Sequence, residues 1–402
     1  MDRPDRTFRL LGSLGCACFI AACAGDAGAP ETARTSVVDS AGIQIVTSQV
    51  EGLPQRGVAA DPTFSIGSLE GGDDALFDVQ AVDHFSTGEW LIANGGTSEL
   101  RVFSEAGSFQ RNFGGEGEGP GEFQDLSEAS VFGGDSVFAY DFRSRRVSIF
   151  TSAGDFVRSI TPAEGQGAAP FGMMGNGNVV ASGIRSFGGD LESGTIVRPR
   201  TTGALLDGEG GPIRLLDEYG GSEQFFLQGE NFVSIRSVPF SKTSRMAASD
   251  IWIFSGATEK PEIRVRDDQG ELRAIWRLDF TPPLVTPDDW AAAKAVELES
   301  ADDPGALRSI EDFYNDVPAP ERHPAWGQML VSEKGELWLQ QFSASTADPS
   351  NIWWHFGPDG GLLEEVSLPI DFDPEWISGD LVVGTWEDDF EVEYVRGYRL
   401  VG

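Results

Sequence analysis

His84, His323 and His355 are the only imidazoles in a chain of 402 residues, and they bound the acid–base chemistry open to it. A catalytic triad needs a histidine within hydrogen-bond reach of a hydroxyl or thiol and oriented by a carboxylate. His84 stands at an inner strand end, His355 follows Trp353 and Trp354 in an outer hairpin, and His323 precedes Pro324 in a loop. None has an evident acid or base partner, and no G-x-S-x-G nucleophile elbow occurs. The three histidines are expected to be structural or solvated. The balance leans away from an enzyme.

The stretch FGGEGEGPGEF, from Phe113 to Phe123, raises a second chemistry, that of a phosphate-binding loop. A P-loop ends Gly-Lys-Ser/Thr at the start of a helix, so that backbone amides, a lysine and the helix dipole meet the phosphates. Here Pro120-Gly121-Glu122-Phe123 leads into another strand, no Lys or Arg falls within the loop, and Glu116, Glu118 and Glu122 would repel phosphate. A crossing between repeated units is the better reading. A weak Ca²⁺ site on those glutamates is the remaining alternative, since hard cations take carboxylate and carbonyl oxygens. The net charge of −35, with only Lys242, Lys260, Lys294 and Lys334 as lysines, argues against nucleic acid as a partner.

A third chemistry is that of thiols. Arg3, Arg6 and Arg9 precede an apolar run from Leu10 to Ala22, too short to span a bilayer and suited to a signal-peptide core. It ends Ile20-Ala21-Ala22-Cys23, which resembles the bacterial lipoprotein box, in which the cysteine thiol takes the lipid. Cys16 and Cys18 would leave with the signal, so no disulfide is expected. Residues 1–22 therefore read as a lipoprotein signal peptide and 23–36 as a flexible tether of small and polar residues. By resemblance to the usual sorting rule, Ala24 after Cys23 favours the outer membrane. The expected location is the cell envelope, with the membrane as a partner through the lipid.

What could position any site is a repeat. LRVFSEAGSFQRNF from Leu100 lies over VSIFTSAGDFVRSI from Val147 at an offset of 47 residues, with Phe103 on Phe150, Gly107 on Gly154 and Phe109 on Phe156. Upstream, EWLIAN ending at Asn94 lies over SVFAYD ending at Asp141. Four short strands per repeat of this length describe a propeller blade. The hairpin glycine recurs at Gly203, Gly270 and Gly360, and VVDSAGIQIV places Gly42 in the same pattern. The expectation is an all-β, six-bladed β-propeller over residues 37–402. An N-terminal strand, Ile43 to Thr47, would close a last blade whose other strands come from the C-terminus. Thr286 reads as an N-cap and Pro287 as the first residue of a helical insertion over about 287–316. This insertion and the stretch from Gly208 to Phe232 are candidate lids over one end of a central channel.

In VFAYDFRSRRVSIFTSAGDFVRSI, residues Asp141, Arg146, Val147 and Phe150 match the Asp, Arg-Val and Phe of the NHL pattern, so the chain resembles six-bladed propellers of NHL-repeat type over about Asp78 to Ile160. The flanking DSAGIQIV and ELRVF resemble a group of bacterial envelope propellers without known activity. The resemblance implies that Asp141 fixes its turn and pairs locally with Arg146. Some six-bladed propellers are Ca²⁺-dependent lactonases or esterases with Glu, Asn and Asp at inner strand ends. Asp83, Glu128, Asn176 and Glu333 are the candidates here. Two functions follow: an envelope module that binds a protein, peptide or glycan without a cofactor, and a Ca²⁺-assisted hydrolase.

Overall fold

The strand WLIAN, Trp90–Asn94, is buried at every position, and SVFAYD and WIFSGA are nearly so. A strand that is apolar on both faces must be covered on both faces. In contrast FQRNFG, Phe109–Gly114, alternates between half-buried and exposed. Fully covered second strands and alternating outer strands are what a ring of face-packed blades requires. The computed structural model, which describes residues 34–162, 169–186, 191–229, 233–301, 303–343 and 349–402, is such a ring.

Six antiparallel blades follow in chain order. Their innermost strands are Val79–His84, Leu126–Phe132, Ala169–Met173, Ser244–Ala248, Met329–Val331 and Phe372–Ser378. Between each pair of neighbouring blades lies one apolar core. The core between blades one and two gathers Leu91, Val102, Phe123, Val137 and Phe150. That between blades three and four is the smallest, with Met174, Val180, Leu205 and Ile253 as its fully buried members. Residues 1–33, which contain the expected signal peptide, Cys23 and most of the tether, lie outside the described residues.

Ring closure differs in detail from the expectation. A strand from the N-terminal part does complete blade six, but it is Phe64–Ile66, which pairs antiparallel with Glu393–Val401. Ile43–Gln49 instead runs parallel to Leu272–Asp279, adding itself and Thr35–Ser40 to the outside of blade four. Gln55–Val58 bridges blades five and six. The hairpin glycines show why. Gly154 has φ +91°, and a Cβ there would lie 2.8 Å from the Phe113 ring on the outer strand of the preceding blade. Gly107 abuts Ile66 in the same way, which marks Ile66 as the outer strand of blade six. Gly42, with φ +85°, has nothing within 4 Å of such a Cβ: it turns a hairpin at the periphery. Gly270 and Gly360 sit in turns with positive φ, whereas Gly203 lies within the strand Arg200–Leu206 opposite Ser182. The turn of blade three is Asp207–Gly211, where the Gly210 amide donates to the Asp207 carbonyl.

The insertion comprises two helices, α1 (Pro287–Glu299) and α2 (Pro304–Asp316). Thr286 forms a capping box with Asp289, and Asp303 caps α2. The helices pack on a three-stranded sheet, Thr195–Val197, Gln224–Gln228 and Val233–Ser237. Phe225, Ile310, Phe313 and Tyr314 form their shared core. Arg236 lies over the Phe313 ring at 4.1 Å and pairs with Glu297. The helical insertion and the sheet insertion are thus one module.

Candidate functional site

Inner strands have a neighbour on one side only, so their free edge faces the ring axis. There the six edges enclose a lumen of about 490 Å³. Its wall divides by chemistry. Blades six, one and two bring Glu375, Asp83 and Glu128 to the inner wall, and blades three, four and five bring Phe171, Met173, Met246 and Met329. Three of the five methionines of the chain line this space. At the mouth where inner strands end, His84, Asp135, Asp250 and Glu333 form the rim. No Lys or Arg lines the lumen among the described residues.

The carboxylates differ in how they are held. Asp83 Oδ2 accepts from the Val131 amide at 2.6 Å and Oδ1 from the His84 amide at 2.7 Å, so it ties blade one to blade two. Burial pushes its carboxyl up to about 7, against the pull of those two amides. Burial pushes Glu128 up to about 8, with Glu375 and Asp83 adding repulsion. Glu375 also rises to about 8, through burial and then Asp373. Neither Glu128 nor Glu375 has a hydrogen-bond or ion-pair partner among the described residues. Glu333, at the rim, is raised by burial.

Asp83, Glu128 and Glu333 therefore do reach one lumen. Asn176 does not: it is exposed in the Met173–Val179 turn, where its side-chain amide donates to Asp268. Among the described residues no three His, Cys, Asp or Glu side chains are grouped so as to hold a metal ion. Asp83 already has its oxygens on amides. Glu375 and Trp376 were not foreseen from sequence. Their strand, FDPEWIS, exposes polar residues to the lumen and carries a proline, so it lacks a clear strand signature.

These raised acids set a pH dependence. An acid with a raised folded pKa holds its proton more tightly folded than unfolded, so its contribution favours folding at low pH. That contribution is lost as pH rises from the ordinary carboxylate range to about 8. Stability is expected to fall between about pH 5 and pH 8, by on the order of 1 kcal/mol per group once lumen water is allowed for, and the melting temperature with it. Replacing both Glu128 and Glu375 with Gln should flatten that slope; an unchanged slope in the double variant would refute it.

The other candidates resolve as scaffolding. In the glycine-rich loop the Gly119 amide donates to Glu122 and Glu118 accepts from Gln124. Arg146 donates to the carbonyls of Glu118, Gly119 and Glu122. A guanidinium thus stands where a cation would draw on those carbonyls. Arg146 does not pair with Asp141, whose carboxylate accepts from the amides of Gln124, Arg143 and Ser144. Arg146→Ala should free three loop carbonyls and lower stability by about 1–2 kcal/mol, measurable by urea unfolding.

Two histidines have acid partners after all: His323 Nε2 lies 3.1 Å from Asp289 at the start of α1, and His355 Nδ1 lies 3.1 Å from Glu364. Sequence separation hid the first pair, and strand pairing made the second. Neither lines the lumen. His84 does, packed against Trp90 and Trp376 with ring centroids 4.4 and 4.9 Å away; burial lowers its pKa and favours the neutral imidazole. Among the described residues the two-helix module contributes none to the lumen wall.

Comparison with known proteins bears on the fold. Residues 64–161 match a family described as a 6-bladed beta-propeller. No curated protein matches the sequence. Among solved structures, the chain is similar to a Bacteroides fragilis protein provisionally described as exported, at 12% identity and TM-score 0.48, over 89% of this chain and 100% of that one. It is similar to a member of the DUF4221 family from Bacteroides vulgatus at 8% identity and TM-score 0.48, over 86% and 98%. Virginiamycin B lyase from Staphylococcus aureus follows at 11% identity and TM-score 0.40, over 84% and 98%. The chain is a six-bladed β-propeller on its own strand pairing. No helix among the described residues is long and apolar enough to cross a membrane.

Proposed function

We propose that this propeller, read as NHL type on Asp141, Arg146, Val147 and Phe150, is a lipid-anchored envelope module that binds a protein, peptide or glycan at its axial lumen. The observation that carries this reading is the lumen itself: a preformed concave space with carboxyl groups on one wall and an apolar surface on the other. The Ca²⁺-assisted hydrolase has less support, because no three carboxylates among the described residues are grouped for one ion. Binding is tested by capture from envelope extracts with the wild-type chain and with Ala247→Trp, which fills the lumen from blade four. Loss of one captured partner in the variant, with folding intact, supports the reading. Stoichiometric Ca²⁺ with chelator-sensitive ester or lactone turnover would replace it.

The anchor rests on Ile20-Ala21-Ala22-Cys23 at the end of a short apolar core. Cys23→Ser is expected to release the protein from the membrane fraction or to stall its processing. Unchanged membrane association with a mature N-terminus at another residue would refute the anchor.

A further inference from the structure

Resting on that reading of the lumen as a binding site, we infer that its ligand is an organic cation, an ammonium or guanidinium group on an apolar stem, with the head between Glu128 and Glu375 and the stem against Met173, Met246 and Met329. The first observation is the pair of unpartnered carboxyls. Glu128 and Glu375 are half-buried on the inner strands of blades two and six and line the lumen, without a donor among the described residues. Holding a carboxyl partly out of water without a partner is unfavourable, and two that face one space leave a place that a cation would fill. The second observation is the opposite wall. Methionines from three successive blades give a polarizable, adaptable surface suited to an alkyl or aromatic stem.

The rim agrees with this direction of charge. Asp135, Asp250 and Glu333 line the entry, which would raise the local concentration of cations. A bare metal ion fits less well, because it needs several oxygens at once and gains nothing from the methionine wall. When the cation enters, its charge replaces the missing partner, and each carboxyl that ionises releases its proton to lumen water.

The shared chemistry could come from a free amine or from a basic side chain of a peptide, and two probes separate them: n-hexylamine and a blocked tetrapeptide ending in lysine. Each is titrated calorimetrically into the purified full-length chain at about pH 8, with 1-hexanol and CaCl₂ as the neutral and metallic controls. One-to-one binding of either cationic probe, about tenfold or more tighter than hexanol, is the expected result, and the tighter of the two identifies the source. Glu128→Gln combined with Glu375→Gln should weaken it about tenfold or more while leaving the circular dichroism spectrum unchanged. A second pair, Met246→Ala with Met329→Ala, should weaken it while hexanol remains a poor ligand. Equal affinity for amine and alcohol, indifference to the double Gln variant, or displacement of the amine by stoichiometric Ca²⁺ would each overturn the inference. Capture of an envelope partner abolished by Ala247→Trp, without amine binding, would overturn it too and leave the broader binding reading standing.

Discussion

Removal of residues through Ile66 is expected to abolish the single cooperative unfolding transition, while removal through Arg34 leaves it unchanged. Between these, removal through Gln49 should lower stability by about 2–4 kcal/mol without opening the ring. The intermediate cut strips Thr35–Ser40 and Ile43–Gln49 from the outside of blade four and uncovers the core in which Val46, Trp276 and Leu278 are buried. The longer cut removes Phe64–Ile66, and with it the Thr63 and Ala59 amides that donate to the carbonyls of Gly397 and Arg399. Phe64 and Ile66 also belong to the core between blades six and one, where the Phe64 and Trp90 rings lie tilted with centroids 5.1 Å apart. A ring opened there exposes unpaired edges on both sides of the seam. Ile66→Ala provides a check without truncation and should cost about 2–5 kcal/mol. If the cuts through Gln49 and through Ile66 melt alike, closure does not reside in Phe64–Ile66.

This seam also shows where sequence reasoning succeeds and where it stops. The second strands, buried on both faces, and the turn glycines at Gly107 and Gly154 repeat at a fixed offset because both are set locally, by coverage and by positive φ. Fold class and blade length are legible for that reason. Gly42 carries the same local signature, with φ +85°, and its hairpin is real. Where the hairpin docks is decided by parallel pairing with Leu272–Asp279, which needs no turn and leaves no pattern near Gly42. The candidate site divides in the same way. Asp83, Glu128 and Glu333 could be named because acids near inner strand ends point towards the axis. Glu375 was missed because its strand, interrupted by Pro374, did not read as a strand. Which acids share a depth depends on the stagger of blades around the ring, a tertiary quantity. Arg146 makes the same point: its nearest acid in sequence is not what it touches.

Asp217→Ala is expected to destabilise the propeller by about 3–5 kcal/mol, the largest effect of any single polar substitution outside the seam. Asp217 lies on the outer strand of blade three, Pro212–Gly220, with its side chain 2% exposed. Its carboxylate takes a two-point contact from Arg266, Nε to Oδ2 at 2.9 Å and Nη2 to Oδ1 at 2.8 Å. Arg264 Nη1 adds a third bond at 2.6 Å and Ser255 Oγ a fourth at 2.8 Å. All three partners are on blade four, at the interface whose apolar core is smallest. Hydrogen bonds from Arg266 and Arg264 outweigh burial and hold this carboxyl below its ordinary range. Its contribution is therefore present above the unfolded carboxylate pKa and lost as pH falls through the lower folded value, the reverse of the lumen acids. Removing Asp217 strands the largely buried Arg266 guanidinium, so much of the loss reflects the orphaned charge. Replacing Asp217, Arg264 and Arg266 together with Leu, Leu and Met should accordingly recover most of the stability lost in Asp217→Ala. Urea unfolding at neutral pH measures both variants. A single-variant loss under about 1 kcal/mol, or a triple variant no better than the single, would show that blades three and four are held by their apolar core alone.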